Sequence, residues 1–167
     1  MEPVTTDLFI DGAERPATGK ATYALVNPAR PSEVVGHAAA ANREDVDAAM
    51  QAAQRAFGAW AAMSMAERAA MLTHISGQLN ADAAETASRA RLLTREHGKT
   101  LFETNIEVTR LADRFAQVAN FAGWVAEEDK VSGKMFDTVV TRKSRGVSLL
   151  IVPWNWPLAI LGSKLPH

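Results

Sequence analysis

The residue with the clearest chemical use in this sequence is Asn155, which lies in the proline-bounded segment Pro153-Trp154-Asn155-Trp156-Pro157-Leu158. A carboxamide NH2 group held in a fixed orientation can stabilise the negative charge that develops on an oxygen atom during acyl transfer. The two prolines stiffen the backbone on both sides of this amide. A second interpretation is that Asn155 caps a helix that starts at Pro157. From the spacing alone, we favour the cap.

The other chemically capable side chains nearby have ordinary explanations. Trp154 and Trp156 are more often core aromatics than ligand contacts, and Lys164 is by default an exposed lysine. The chain contains no cysteine, which excludes disulfides and thiol nucleophiles within these residues. Its 4 histidines show no metal-ligand spacing. Residue types and spacing therefore give one candidate position and no complete catalytic arrangement.

Bulk composition narrows the class of protein. With 47% hydrophobic and 22% charged residues, the 167-residue chain is expected to fold rather than to remain disordered. Its 18 basic and 19 acidic residues nearly cancel, so we expect neither nucleic acid nor an anionic membrane as a partner. The sequence has no secretory signal and no apolar run close to the roughly 20 residues that span a bilayer. We therefore predict a soluble, cytoplasmic protein.

The elements that would position Asn155 lie directly before it. Residues 147–152 are almost continuously apolar, which is typical of a strand buried in a parallel sheet. Ligands of open α/β sheets lie beyond the carboxyl ends of the strands, where residues 153–156 would fall. A preceding strand is predicted over residues 135–141, joined across residues 142–146. Because a buried parallel strand needs neighbours, we expect the chain to be the front part of a larger α/β protein.

Upstream, the sequence predicts short strands followed by about four helices. Asp11-Gly12 is a hairpin signal, and short strands are predicted over residues 23–26 and 34–38. Three of the four helix starts are marked by a capping residue with an acid three positions after it. The third helix follows a break at Asn80 and Asp82 and is expected to run to about His97, with Gly98 directly after its end. The marked starts are Asn42 with Asp45, Ser64 with Glu67, and Thr100 with Glu103.

The helical spacing of apolar residues predicts which helix faces are buried. The predicted face of the first helix comprises Val46, Ala49, Met50, Ala53, Phe57 and Trp60, and that of the second comprises Leu72, Ile75 and Leu79. The predicted face of the fourth comprises Phe102, Ile106, Leu111, Phe115, Val118 and Ala122. We expect this fourth helix to end near residues 124–127.

Taken in order along the chain, these segments resemble the N-terminal part of the NAD(P)-dependent aldehyde dehydrogenase superfamily. The similar segments are Phe9-Ile10-Asp11-Gly12, Val26-Asn27-Pro28-Ala29, Glu67-Arg68, Glu96-His97-Gly98-Lys99, Ile106-Glu107-Val108, Arg145-Gly146-Val147 and the hexapeptide that contains Asn155. That hexapeptide is closely similar to the family's P-W-N-F/Y-P-L and is specific. The resemblance implies an α/β fold, truncated and helix-rich, with about four helices, hairpins and the first strand of a Rossmann-like parallel sheet.

The resemblance also implies a division of the chain. Residues 1–134 would form the helical part of the cofactor-binding domain, and residues 135–146 the hairpin of the oligomerisation region. Residues 147–167 would form the first strand, the turn and the helix start of the Rossmann-like core. The implied partners are a small-molecule aldehyde and NAD or NADP, in a protein that forms a homo-oligomer when full length.

Roles for individual residues follow from the same resemblance. The resemblance implies that Asn155 is not a helix cap but a hydrogen-bond donor in the oxyanion hole of a cysteine thiohemiacetal. Lys164 would match a lysine in the proton path for thioester hydrolysis. The residues implied to contact the dinucleotide, largely through the backbone, are Ile151, Val152, Pro153 and Trp154, and those implied to face the substrate channel are Trp156, Ile160 and Ser163.

The chain departs from the family in what it lacks. The family's nucleophilic cysteine, general-base glutamate and Gly-rich phosphate turn would all lie beyond His167. We therefore predict that these residues alone do not oxidise an aldehyde. The alternative is a non-catalytic helical interaction module, the product of a truncated gene, that pairs with full-length relatives.

Overall fold

A computed structural model describes residues 2–126 and 128–167 of the chain. Short strands come first, a run of helices follows, and a hairpin and a short helix come last. The strands are β1 Val4–Thr6, β2 Leu8–Ile10, β3 Ala13–Arg15, β4 Thr22–Asn27, β5 Arg30–Ala39, β6 Asp129–Ser132 and β7 Asp137–Val140. The helices are α1 Arg43–Ala62, α2 Met65–Leu79, α3 Ala83–His97, α4 Leu101–Ala119, α5 Ala122–Ala126 and α6 Pro157–Gly162.

The predictions for the first part of the chain are confirmed. β5 is the central strand of a three-stranded sheet, with β1 parallel on one side and β4 antiparallel on the other. The strands predicted over residues 23–26 and 34–38 lie within β4 and β5. β2 and β3 form the predicted hairpin, and Asp11 and Gly12 at its turn have φ angles of 57° and 79°. Two positive φ angles are what a tight two-residue hairpin turn requires.

The helix starts are also where the sequence predicts them. In α1, the Asn42 side chain accepts the backbone N–H of Asp45, and the Asp45 carboxylate accepts the N–H of Asn42. The same reciprocal pairs start α2 and α4. The Ser64 and Thr100 hydroxyls donate to the acids Glu67 and Glu103, and these bonds hold the pKa of both carboxyls below the usual range.

α4 is the helix around which the others pack, because it contacts α2, α3 and α6. Its buried residues are Thr104, Glu107, Val108, Ala112 and Phe115. The predicted face was therefore only partly right, since Phe102 is 75% exposed and the buried face includes a polar and an acidic residue. α4 also ends at Ala119 and is followed by the separate α5, so the predicted end near residues 124–127 is wrong. Glu127 itself lies outside the described residues.

The predicted buried face of α1 is wrong. Val46, Met50 and Trp60 are exposed, whereas Asp45 and Ala52 are the buried residues of this helix. Helical spacing shows which residues share a face but does not show whether another element covers that face. Among the described residues, α1 packs mainly against β2, and several of its apolar side chains remain in contact with solvent. The face predicted for α2 is partly buried, with Leu72 buried and Ile75 exposed.

Two predictions near the C-terminal end need correction. The hairpin predicted over residues 135–146 lies earlier, where β6 pairs with β7 in antiparallel register from Asp129 opposite Val140. Residues 147–152, predicted to be the first strand of a parallel sheet, adopt no regular secondary structure. A strand is defined by ladder hydrogen bonds to a neighbour, and no neighbouring strand is present for this segment within the described residues.

Asp45 is a buried carboxylate that joins the start of α1 to the preceding loop. It accepts hydrogen bonds from the N–H of Asn42 at 3.0 Å, from the Thr18 hydroxyl at 2.6 Å and from the Thr18 N–H at 3.0 Å. Arg15 lies 3.6 Å away. The Asn42 N–H, followed by the Thr18 hydroxyl, holds the pKa of Asp45 below its usual range.

We expect acid to weaken the fold through Asp45. Its pKa is lower in the folded than in the unfolded chain, so its stabilisation is complete above the unfolded value of about 4 and is lost as the pH falls through the folded value. Urea unfolding of the wild type and of Asp45→Asn should therefore give stabilities that converge as the pH is lowered. The control is Asp113→Asn, at an exposed site on α4. A stability difference for Asp45→Asn that stays constant with pH would contradict this account.

Candidate functional site

Asn155 lies in a bend that leads directly into α6, and we call residues 153–158 the elbow. The backbone bends at residues 154–156, and α6 then starts with Pro157 at its first position. The residue in the N-cap position is Trp156, and no side chain of the elbow makes a capping hydrogen bond. The interpretation of Asn155 as a helix cap is therefore wrong. Asn155 is exposed at the surface of the bend.

The hydrogen bonds that a cap would provide come from Glu107 on α4. One carboxylate oxygen, Oε2, accepts the backbone N–H of Leu158 at 3.0 Å and that of Ala159 at 3.4 Å. A negative charge at this position also interacts favourably with the helix dipole. The Glu107 side chain is 0% exposed. A buried acid on one helix therefore caps the start of another.

Lys99 connects this carboxylate to the elbow. Its ammonium group donates to Glu107 Oε1 and to the backbone carbonyl oxygen of Asn155, the latter at 2.9 Å. The same nitrogen lies 3.8 Å from the centre of the Trp156 ring, a cation–π contact. The Lys99 side chain is 13% exposed. It therefore contacts two successive residues of the elbow and compensates the charge of the buried acid.

Gly98 determines the position of Lys99, because it ends α3 directly before this lysine. This glycine ends α3 with a φ of 74°, and a Cβ atom on it would lie 2.8 Å from Cγ of Pro28. Pro28 follows Asn27, whose side-chain oxygen accepts the N–H of Ala29 at 3.0 Å and so fixes the turn. Two motif segments that are far apart in sequence therefore meet at Gly98, next to the lysine that contacts the elbow.

The residues predicted to contact a dinucleotide lie at the surface before the bend. Ile151 and Trp154 are 85% and 80% exposed, Pro153 is exposed and Val152 is half-buried. They belong to a stretch without helix or strand structure. The structure thus makes most of this segment accessible to a ligand.

The remaining predicted residues lie at the start of α6, on it or directly after it. Trp156 and Ile160 are half-buried, and the Ser163 hydroxyl donates to the carbonyl oxygen of Ile160 at 2.8 Å. Ser163 and the exposed Lys164 border a cleft of about 900 Å³. Asn155 does not line this cleft, so the structure does not bring the two predicted catalytic residues, Asn155 and Lys164, to one cavity.

Glu107 and Lys99 are the residues that sequence reasoning missed. In the sequence, Lys99 and Glu107 stand out only as members of segments that resemble the family. A usable signal was present in α4, because Glu107 is one helical turn from Thr104 and Leu111 and next to Val108. An acid in the middle of a buried helix face needs a partner of opposite charge or several hydrogen bonds.

Metal-binding clusters and membrane-spanning helices are both absent from the described residues. Across residues 2–126 and 128–167, no group of histidine and acidic side chains is arranged to hold a metal ion. None of the helices in that part of the chain combines the length and apolar character needed to cross a bilayer.

The sequence matches a known protein family. Residues 15–167 match the profile of the aldehyde dehydrogenase family. Aminoaldehyde dehydrogenase 2 from Solanum lycopersicum is 34% identical over 164 residues, which are 95% of this chain and 32% of that protein.

Solved structures agree. An NAD-dependent aldehyde dehydrogenase from Sinorhizobium meliloti superposes with a TM-score of 0.88 at 28% identity, covering 99% of this chain and 33% of that one. Lactaldehyde dehydrogenase from Escherichia coli superposes with a TM-score of 0.87 at 28% identity, covering 99% of this chain and 34% of that one. The chain therefore spans about a third of the length of the relatives that it matches.

Proposed function

This chain belongs to the aldehyde dehydrogenase family, because residues 15–167 match the profile of that family. We propose that, as part of a whole protein, it serves the NAD(P)-dependent oxidation of an aldehyde to a carboxylic acid. The observation that carries this proposal is the elbow. Asn155 is exposed there, while charged side chains hold its own carbonyl and the helix that follows. A donor whose backbone is already held in place needs less reorganisation when charge develops on a substrate oxygen.

In this proposal the Asn155 carboxamide donates to the aldehyde oxygen. When a thiolate adds to the carbonyl carbon, the C=O π electrons move to oxygen and leave an alkoxide of a thiohemiacetal, which the amide stabilises. The 167 residues contain no cysteine, so the thiolate has to come from outside them. We accordingly propose that this chain alone does not turn over an aldehyde.

NAD or NADP is the proposed cofactor, and Ile151, Val152, Pro153 and Trp154 would contact it. These residues fit a dinucleotide because their segment is largely exposed and its backbone belongs to no helix or strand. The nicotinamide, when bound, accepts the hydride from the substrate. The Sinorhizobium meliloti relative is described as NAD-dependent, which supports this class of cofactor.

Residues on and near α6 would face the substrate, a small-molecule aldehyde. We assign Trp156, Ile160 and Ser163 to the substrate channel and Lys164 to the proton path for hydrolysis of the thioester. The half-buried state of Trp156 and Ile160, which lie directly after Asn155 and on α6, supports the assignment to a channel.

The division into domains follows the same proposal. Residues 1–134 would belong to the cofactor-binding domain and residues 147–167 to its Rossmann-like core. Residues 135–146 would begin the oligomerisation region; β7 lies in this range, and its partner strand β6 precedes it. We propose that the whole protein is a cytoplasmic homo-oligomer.

A chimaera tests the proposed function. In this chimaera, the chain would replace the matching third of Escherichia coli lactaldehyde dehydrogenase. The match covers 34% of the length of that enzyme. We expect the purified chimaera to reduce NAD when lactaldehyde is added, and the isolated chain to show no such activity. The control is the chimaera with Asp113→Asn, an exposed position on α4. A chimaera that binds NAD but shows no aldehyde-dependent reduction would count against the proposal.

The exposed apolar side of α1 supports one alternative, a non-catalytic helical interaction module. Val46 and Met50 are open to solvent on a helix that has few neighbours. This alternative predicts that the purified chain is a monodisperse monomer, binds a full-length relative and does not bind NAD. Size-exclusion chromatography and cross-linking distinguish it from the enzymatic proposal.

A further inference from the structure

We infer that Glu107 and Lys99 are positioning residues for Asn155. The buried carboxylate fixes the start of α6, and the ammonium group fixes the backbone carbonyl of Asn155. The claim that these residues affect the reaction through Asn155 rests on the proposed function. The claim that they hold the elbow in place rests on the contacts alone, so the two claims can be tested separately.

The start of α6 depends on Glu107 because the elbow provides no cap of its own. The N-cap residue, Trp156, makes no side-chain hydrogen bond, and Pro157 has no N–H to satisfy. The first backbone donors of the helix are therefore those of Leu158 and Ala159, and both bind Glu107 Oε2. A helix of 6 residues has too few internal hydrogen bonds to be stable by itself. Its orientation is therefore set by external contacts.

Lys99 is needed because Glu107 is completely buried. A carboxylate removed from water requires a partner of opposite charge, and Lys99 is that partner. The same ammonium then donates to the carbonyl of Asn155, the residue whose side chain is proposed to act. The contact with the Trp156 ring adds a third restraint. The charge pair therefore acts on the backbone at the candidate donor itself.

The far end of α6 is held differently, by direct packing on α4. Gly162 is buried, and a Cβ atom on it would lie 3.2 Å from Cα of Leu111. Loss of the charge pair should therefore loosen the elbow and the first turn of α6 but leave the far end in place. The inference therefore predicts a change at one end of α6 and not at the other.

Hydrogen exchange of the 167-residue chain, followed by mass spectrometry, tests it. In Glu107→Gln and in Lys99→Met, we expect peptides that cover residues 153–159 to exchange about tenfold faster or more, because charge-assisted hydrogen bonds to their backbone are lost. Peptides from α1 and β5 should be unchanged. Lys99 lies closer to the surface than Glu107. Lys99→Met therefore tests the inference even if Glu107→Gln does not fold.

Matched controls are Asp113→Asn and Lys134→Met, which remove one charge each from exposed positions. These variants should exchange like the wild type. Unchanged exchange over residues 153–159 in Glu107→Gln or Lys99→Met would overturn the inference. A uniform increase along the whole chain would overturn it too, because that result describes general stability rather than positioning.

The catalytic part is tested by a double-mutant cycle in the chimaera. Glu107→Gln should lower kcat by roughly 10–100-fold through misplacement of the donor. In the Asn155→Ala background it should cost nothing further, because the group that it positions is already gone. Additive losses would refute positioning through Asn155. If Asn155→Ala retains full activity, the proposed function fails, while the exchange experiment still decides whether the pair holds the elbow.

Discussion

Asn155→Ala in the chimaera is expected to lower kcat for aldehyde oxidation by roughly 10²–10³-fold. The substitution removes a hydrogen-bond donor that acts only when charge appears on the substrate oxygen, so it should affect the rate rather than ground-state binding. The Kd for NAD should not change. Pre-steady-state measurement of the first turnover, with a separate titration of NAD, gives both quantities.

Asn105→Ala is the control for this prediction. Asn105 is an exposed asparagine on α4 whose amide donates to the local carbonyl of Leu101 at 2.7 Å. Its replacement removes a carboxamide of the same kind away from the elbow and should leave kcat near the wild-type value. Equal losses of rate and of NAD affinity in Asn155→Ala would show that Asn155 supports the structure rather than the reaction.

The sequence identified the candidate donor but not the residues that hold it. Asn155 stands out because a proline lies two positions before it and another two positions after it, which is a local signal. The contacts that fix it are not local, since Lys99 is 56 residues away and Glu107 is 51 residues from Leu158. Lys99 follows a glycine that ends a helix, and such a lysine is usually exposed. Only the fold shows that the helix end is turned towards the elbow.

The same distinction explains the fold predictions. The helix starts were correct because a cap is made by residues a few positions apart, and the hairpin at Asp11-Gly12 was correct because its turn needs two positive φ angles. Burial of α1 and pairing of residues 147–152 depend on other elements. Apolar character shows that a segment can be covered or paired, but a partner has to be present for it to happen.

α4 shows how helical periodicity misled the prediction of the core. Phe102 and Phe115 were assigned to one face, but they are thirteen positions apart, and at about 100° per residue their directions differ by roughly 140°. Val108 and Phe115, seven positions apart, point almost the same way and are both buried. The face that packs on α2, α3 and α6 is therefore the one that carries Phe115 and also Glu107.

Phe115→Ala is expected to lower the free energy of unfolding of the chain by about 3–5 kcal/mol, because it leaves a cavity in the packed face of α4. Phe102→Ala, on the same helix, removes the same atoms from an exposed position and should cost about 0.5 kcal/mol or less. The two side chains are 6% and 75% exposed, so they form a matched pair. Urea unfolding followed by circular dichroism measures both. Equal effects would mean that α4 presents the face predicted from its apolar spacing, and Glu107 would then not be buried where it can hold the elbow.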